Sequence, residues 1–370
     1  MNVMQVLPEL TSGGVEQVTL GLAKHLVAEG HRSCVVSRGG KLVSELTQNG
    51  SIHFTYSIHR KNLLALRHIP SLRKLLLKEQ PDILHLRSRA PAWLFYLTWK
   101  SLPREKRPRL VTTVHGLYSV NFYSRIMTRG ESVICVSQAV RDYVLNNYPN
   151  TPQQRLHVCY EGISNKLFTP NLQPSSSWKE QWFQEFPETS QKTLIVLPGR
   201  LTRLKGHQTF LKLIAALRTE NPKIHGIIAG GAHPKKQNYL QELHQATRDQ
   251  NLTQAITFTG KRNDLPQILA LSKLSLSLSE KPESFGLTIL EALSLGTPVI
   301  AYDEGGASEI LAKLCPQGAI PRDNFPELLK RAKDFLHQTP TIAPNEDFLA
   351  ETSHQKTTAI YQELLTTPRT

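Results

Sequence analysis

The chain has 370 residues, of which 39% are hydrophobic and 20% charged; this suits two globular domains with full cores and argues against a disordered chain. Charge is unevenly spread: residues 1–170 carry 22 Lys and Arg against 10 Asp and Glu, and the rest carry 22 against 20. A basic first half predicts an anionic partner there. No helix-turn-helix, zinc-finger or RNA-binding signature is found, so nucleic acid is not expected. The opening MNVMQVLPEL lacks a basic segment followed by a long apolar one, and the longest apolar run, near Ala92–Trp99, falls short of the ~20 residues that span a bilayer. The chain therefore reads as cytoplasmic. Cys34, Cys135, Cys159 and Cys315 have neither metal-ligand nor redox spacing and read as buried, reduced thiols.

In chain order, short β-branched runs alternate with helical patterns, which favours parallel sheets covered on both faces. Strands are expected at 3–7, 33–37, 83–86, 110–114, 132–136 and 156–158, with the clearest helix at 15–29. A connector rich in Pro, Ser and Gln follows at 169–191, with Trp178, Trp182 and Phe183 embedded in it. The alternation then restarts with strands at 193–197, 224–229, 256–258, 274–278 and 299–301. Helices are expected between them at 207–218, 239–248, 265–271 and 285–295. A last helical pattern covers 347–365. The fold class is α/β, in two doubly wound Rossmann-like domains, 1–170 and 171–346, with the terminal helix (347–370) able to return to the first. Ligands of such sheets bind at the carboxyl ends of strands, so a central cleft is the expected active site.

The most informative stretch is Pro282-Glu283-Ser284-Phe285-Gly286-Leu287-Thr288-Ile289-Leu290-Glu291-Ala292, which follows a strand and opens a helix. A helix N-terminus offers unpaired N–H groups and the positive end of a dipole to a phosphate. Gly286 adds no side chain to block that approach. Glu283 precedes the helix and Glu291 lies inside it, about 8–10 Å away at a rise of ~1.5 Å per residue. That separation suits carboxylates gripping hydroxyls at the two ends of a sugar–diphosphate–ribose ligand.

The same half contains Gly199-Arg200-Leu201-Thr202-Arg203-Leu204-Lys205-Gly206 directly after a strand, and Gly305-Gly306 with Glu309 after a later one. The first half contains Gly13-Gly14-Val15-Glu16, Thr113-Val114-His115-Gly116 and Val136-Ser137. From about Val3 to Glu309 this ordered set resembles the family-4 glycosyltransferases, which are retaining enzymes of the GT-B fold. The resemblance implies a donor-binding second domain, an acceptor-binding first domain, and a nucleotide-diphosphate sugar, UDP- or GDP-linked, as substrate without metal or other cofactor. Position by position, it implies Arg200 and Lys205 as the diphosphate clamp, with Arg203 peripheral. Gly13 and Gly14 would form the loop facing donor and acceptor, and His115 would bond a sugar hydroxyl. Glu283 would hold the transferred sugar and Glu291 the ribose. Ser284, Phe285, Gly286 and Leu287 would line the phosphates, and Arg262, on the Gly260-Lys261-Arg262 loop, would lie near the base. One departure stands out: Tyr160-Glu161-Gly162-Ile163-Ser164 occupies the place of the family's Asn-Gly-Val-Asp.

On the acceptor side, leucines at 63, 64, 66, 72, 75 and 76 interleave with Arg67, Arg73, Lys74 and Lys78 after Arg60 and Lys61, with Pro70 interrupting the pattern. The leucines could fill the core while the charges are solvated, or the strip could face an anionic inner leaflet as a peripheral attachment. Arg87 and Arg89 follow the third expected strand and are expected to meet a phosphate or acidic group on a glycan or glycolipid acceptor. Lipopolysaccharide core or surface polysaccharide assembly is the expected setting. The rival readings are a nucleotide-sugar 2-epimerase of similar fold and an inactive relative that binds a nucleotide sugar or glycan.

Overall fold

The computed structural model describes residues 1–11, 13–59, 63–232 and 238–368. They form two compact units, Met1–Gly162 with the chain from Phe348 onward, and Ile163–Asp347. The division thus falls at 162/163 instead of 170/171.

The first unit is built on a seven-stranded sheet of β1 (Asn2–Val6), β2 (Arg32–Ser37), β3 (Ile52–Thr55), β4 (Ile83–Leu86), β5 (Arg109–Val114), β6 (Ser132–Cys135) and β7 (Leu156–Val158). Its order is β3-β2-β1-β4-β5-β6-β7, and every pairing is parallel. The second unit repeats the plan with β8 (Thr193–Pro198), β9 (Ile224–Ala229), β10 (Ile256–Phe258), β11 (Leu274–Ser277), β12 (Val299–Tyr302) and β13 (Ala319–Ile320). These lie in the order β10-β9-β8-β11-β12-β13, again all parallel. All six residues of β5 and of β9 are buried, as a sheet covered on both faces demands; such strands read as near-continuous apolar runs. In each sheet the winding direction reverses beside the first strand, between β1 and β4 and between β8 and β11. That reversal opens a crevice at the carboxyl ends of those strands.

The C-terminal helix Ala350–Thr366 belongs to the first unit. Its Tyr361 is fully buried in a cluster with Val3, Leu22, Ile83, Val111 and Ile134, and the Tyr361 hydroxyl lies 2.6 Å from His85 Nδ1. Gly162 lies against this returning segment. A Cβ there would stand 2.3 Å from the Leu349 carbonyl carbon, so only glycine admits the crossing.

Two short edge strands, β3 and β13, escape the sequence pattern. β3 is only partly buried and carries His53, and β13 has two residues. The connector contains a helix, Ser176–Glu185, capped by the Ser175 hydroxyl. It belongs to the second unit, with Trp182 buried and stacked on Trp178. Pro70 does not interrupt the leucine-rich strip; it lies in the first turn of the helix Ile69–Glu79, where its missing N–H costs nothing. Leu72, Leu75 and Leu76 are core residues, while Arg67, Arg73, Lys74 and Lys78 are exposed. Arg60 and Lys61 lie outside the described residues. All four cysteines are buried and free.

Candidate active site

In the second unit, three loops meet at the carboxyl ends of β8, β11 and β12. The loop after β8 passes so close to β11 that a Cβ on Gly206 would stand 2.0 Å from the Leu278 carbonyl oxygen; Gly206 also has φ +71°. The loop after β11 lies against the one after β12. The Gly306 N–H donates to the Glu283 carbonyl at 2.8 Å, and a Cβ on Gly305 would come within 2.3 Å of that oxygen. Glycines thus bring three backbones into contact where side chains would hold them apart.

Lys205 and Glu283 meet across this junction. Lys205 Nζ is 2.5 Å from Glu283 Oε1, and the same oxygen accepts a 2.5 Å bond from the Ser279 hydroxyl. Both charged side chains remain about a quarter exposed, at 27% and 24%. Arg200 is exposed and forms no ion pair with another described residue. Gly286 (φ +113°) precedes the helix Leu287–Ser294, and the buried Phe285 anchors the turn. Glu291 lies inside that helix and is half-buried as a residue, but its Oε2 is enclosed and has no hydrogen-bond partner among the described residues. Burial pushes its carboxyl up to about 8, because the charged form has lost water without gaining a donor.

Arg203 and Arg262 are engaged elsewhere. Arg203 pairs with Glu242 on the exposed surface and lies over the Tyr239 ring. Arg262 is held by Glu185 and Asp264 at 2.8 and 2.7 Å. The hydrogen bond to Asp264, followed by that to Glu185, raises its guanidinium above the ordinary value against the pull of burial. Its side chain therefore braces the connector helix against the loop after β10.

In the first unit, the loops after β4, β5 and β7 surround a small cavity lined by His85, Arg87, Thr113, His115, Cys159 and Glu161, with Ser353, His354 and Thr357 from the C-terminal helix. Arg87 is 3% exposed. Its Nη1 donates to Gln5 Oε1 at 3.0 Å, its Nε has no partner among the described residues, and burial pulls it below its ordinary value. His115 Nδ1 lies 2.7 Å from Glu161 Oε1. Burial lowers the imidazole, with the Glu161 hydrogen bond opposing. His85, lowered well below its usual value by burial and then by Arg87 and His115, bridges Tyr361 and Thr113, each at 2.6 Å. Arg89 stands apart from this cavity. Its guanidinium lies 4.2 Å above the Tyr118 ring and donates to Ser124 Oγ at 3.0 Å. Burial raises the Tyr118 hydroxyl to about 12, and the missing side chain of Gly116 leaves room for its ring. Gly13 and Gly14 are exposed at the start of the helix Gly14–Ala28, after β1.

Of the residues singled out in the second unit, Lys205 and Glu283 meet directly and Gly286 opens the helix that carries Glu291; in the first unit His115 and Arg87 line one cavity. Sequence reasoning missed Glu161, His85 and Ser279. Glu161 was visible only as a departure from a motif, and the other two carried no pattern at all.

Two parallel-sheet α/β units, each with glycine-rich loops at a strand-order reversal, define the GT-B class of glycosyltransferases. Residues 12–166 match the model described as Glycosyltransferase Family 4, and residues 179–344 match that described as Glycosyl transferases group 1. The chain belongs to this family and is a transferase enzyme. It is 26% identical over 328 residues to an uncharacterized glycosyltransferase of Methanocaldococcus jannaschii, covering 82% of this chain and 80% of that one. It is 25% identical over 251 residues to the lipopolysaccharide core biosynthesis mannosyltransferase LpsB of Rhizobium meliloti, covering 65% and 68%. A glycosyltransferase structure from Rickettsia africae matches with a TM-score of 0.84 at 26% identity over 99% of both chains. Anabaena HepE, solved with UDP and glucose, matches in fold with a TM-score of 0.83 at 21% identity over 98% of this chain and 99% of that one.

Proposed function

We propose that the enzyme transfers a sugar, with retention, from a nucleotide-diphosphate sugar to an anionic glycan or glycolipid of the bacterial envelope, without a metal or other cofactor. The observation that carries this reading is the Lys205–Glu283 junction just ahead of the Gly286–Leu287 start of a helix whose Glu291 carboxyl is enclosed without a partner among the described residues. Lys205 and Arg200 would receive the diphosphate, with the helix N-terminus supplying N–H groups. Glu291 would accept the ribose hydroxyls, and Glu283 would hold the sugar. His115, in the first unit, would bond a sugar hydroxyl.

In the reaction the bond from anomeric carbon to phosphate oxygen breaks, and its electron pair stays on the diphosphate. The acceptor hydroxyl oxygen bonds to that carbon on the same face and gives its proton to the departing phosphate. Cations fixed at the leaving group act where charge grows, which is how such sites lower barriers. The name of LpsB and the UDP-glucose bound by HepE support a nucleotide sugar and an envelope acceptor.

For the acceptor side, Arg87 and Arg89 suit a phosphate or carboxylate. The exposed Arg67, Arg73, Lys74 and Lys78 suit electrostatic attachment to an anionic inner leaflet, each contributing about 1 kcal/mol near such a surface. Since Leu72, Leu75 and Leu76 are core residues, attachment would be mainly through charge. Salt-insensitive or absent flotation with phosphatidylglycerol vesicles would remove this part. A thermal-shift screen of UDP-, GDP- and ADP-sugars tests the donor. Stabilisation by one nucleotide series, followed by a product of unchanged anomeric configuration, is expected. No stabilisation by any of them, or an inverted product, would defeat the proposal, and donor turnover to free nucleotide and a 2-epimer without acceptor would establish the epimerase reading.

A further inference from the structure

We infer that Glu161 is a positioning residue that fixes which imidazole nitrogen of His115 faces the substrate. The inference rests on the reading of His115 given above. His115 follows β5 and Glu161 follows β7, so their 2.7 Å bond reaches over β6, which lies between those strands. Both side chains are enclosed, at 5% and 10% exposure. An ionised carboxylate only accepts, so His115 Nδ1 carries the proton and Nε2 keeps its lone pair. In that tautomer His115 presents an acceptor to a sugar hydroxyl, and the carboxylate holds the ring's rotation as well.

The segment that carries Glu161 is itself pinned. Gly162 is locked against the Leu349 backbone. Cys159 Sγ lies 3.3 Å from the Ser353 carbonyl and 3.4 Å from Thr357 Oγ1. The returning C-terminal helix therefore sets the position of Glu161, and through it the ring of His115. Glu161 also answers the buried charge of Arg87, since its field raises the guanidinium that burial lowers. Besides the Cys159 thiol, the other titratable groups around the cavity are two imidazoles, His85 from β4 and His354 from the C-terminal helix. Burial lowers both, His354 to about 4 with help from His25 and Arg87. They add no positive charge near pH 7, so the His115–Glu161 pair and Arg87 define the local field.

The test uses the full-length enzyme with its histidines labelled with nitrogen-15. The signals of His115 are assigned by their loss in His115→Ala. The wild-type ring is expected to show a protonated Nδ1 and an unprotonated Nε2 at pH 7.5; a protonated Nε2 there would overturn the inference. Glu161→Gln keeps the shape and offers an amide that can face either way. It should give a mixed tautomer signal and a kcat about 10-fold lower, the worth of one hydrogen bond to a charged group, with donor KM within about twofold. Glu161→Gln added to His115→Ala should cost nothing further. If His115→Ala turns over donor at the parental rate, the assignment of His115 to the sugar fails. If His115→Ala is impaired while Glu161→Gln keeps parental kcat, the positioning role of Glu161 alone fails. Far-UV circular dichroism and an unchanged nucleotide-induced thermal shift separate either result from misfolding.

Discussion

The two units hold their charged groups in opposite ways. In the first, Arg87, His85, His115 and Glu161 are enclosed and most are wired to one another or to the C-terminal helix. In the second, Lys205 and Glu283 remain about a quarter exposed, and Arg200 is open to solvent. On the proposed reading, a diphosphate enters and leaves in every cycle with several negative charges. Cations that keep part of their hydration can receive it without standing dehydrated in the empty enzyme, where an unpaired buried charge is costly. A sugar hydroxyl needs the reverse, a fixed dipole in a dry setting that does not reorganise during reaction. The Lys205–Glu283 pair gives each charge a partner in the ligand-free state and one that a diphosphate can replace.

That contrast can be broken at four points, taken from the largest expected effect. Lys205→Ala should lower kcat for transfer by ~10²–10³, the usual loss when one stabilising group is removed from a developing anion. A rate within twofold of the parent in single-turnover assays would show that the second unit's cations are not the clamp. Gly206→Ala should lower stability by about 1–3 kcal/mol, because φ +71° strains any other residue and the added Cβ meets the Leu278 carbonyl. Chemical denaturation measures it, and an unchanged midpoint would mean that the loop yields easily.

Glu291→Gln should weaken UDP or GDP binding about 10-fold and abolish its pH dependence. In the parent, burial raises the carboxyl to about 8, and on the proposed reading a ribose diol would donate to the ionised form. Nucleotide affinity should therefore rise as pH increases through about 8, with proton release on binding, readable by calorimetry in buffers of different ionisation enthalpy. The stability effect has the opposite sign. Between the usual carboxylate range and about 8, the folded chain holds a proton that the unfolded chain lacks, so stability falls as pH rises through that window. Glu291→Gln should remove that decline. The smallest effect belongs to Arg203→Ala, expected within twofold in rate and within about 0.5 kcal/mol in stability, since its pair with Glu242 is exposed.

Much of the fold was legible because buried parallel strands are continuous apolar runs. β4, β7, β9 and β10, and the helices His207–Arg218 and Leu265–Leu271, lie where the pattern puts them. The edge strands β3 and β13 were not legible, because β3 is only partly buried and β13 has two residues, which leaves too few apolar positions to count. In the second unit, glycines that let backbones touch also mark the loops, so Gly199–Gly206 and Glu283–Glu291 could be found from spacing. The first unit's site hid its logic. His115 could be singled out after its strand, but its partner lies 46 positions away in sequence, beyond the reach of any local motif. Arg87 could be picked out as a cation for an acidic acceptor group, but its enclosure beside Gln5, His115 and the C-terminal helix leaves no local signal in sequence. Pro70 looked like an interruption because a proline inside a helical pattern and one in its first turn are alike until the helix start is known.

The most direct measurement is a crystal structure of the enzyme with UDP or GDP, whichever stabilises it in solution. The diphosphate should lie within hydrogen-bond distance of Lys205 Nζ and the backbone N–H groups at Gly286 and Leu287, with the ribose hydroxyls on Glu291. A nucleotide bound with its phosphates away from residues 200, 205 and 286, and Lys205 still closed on Glu283, would contradict the account.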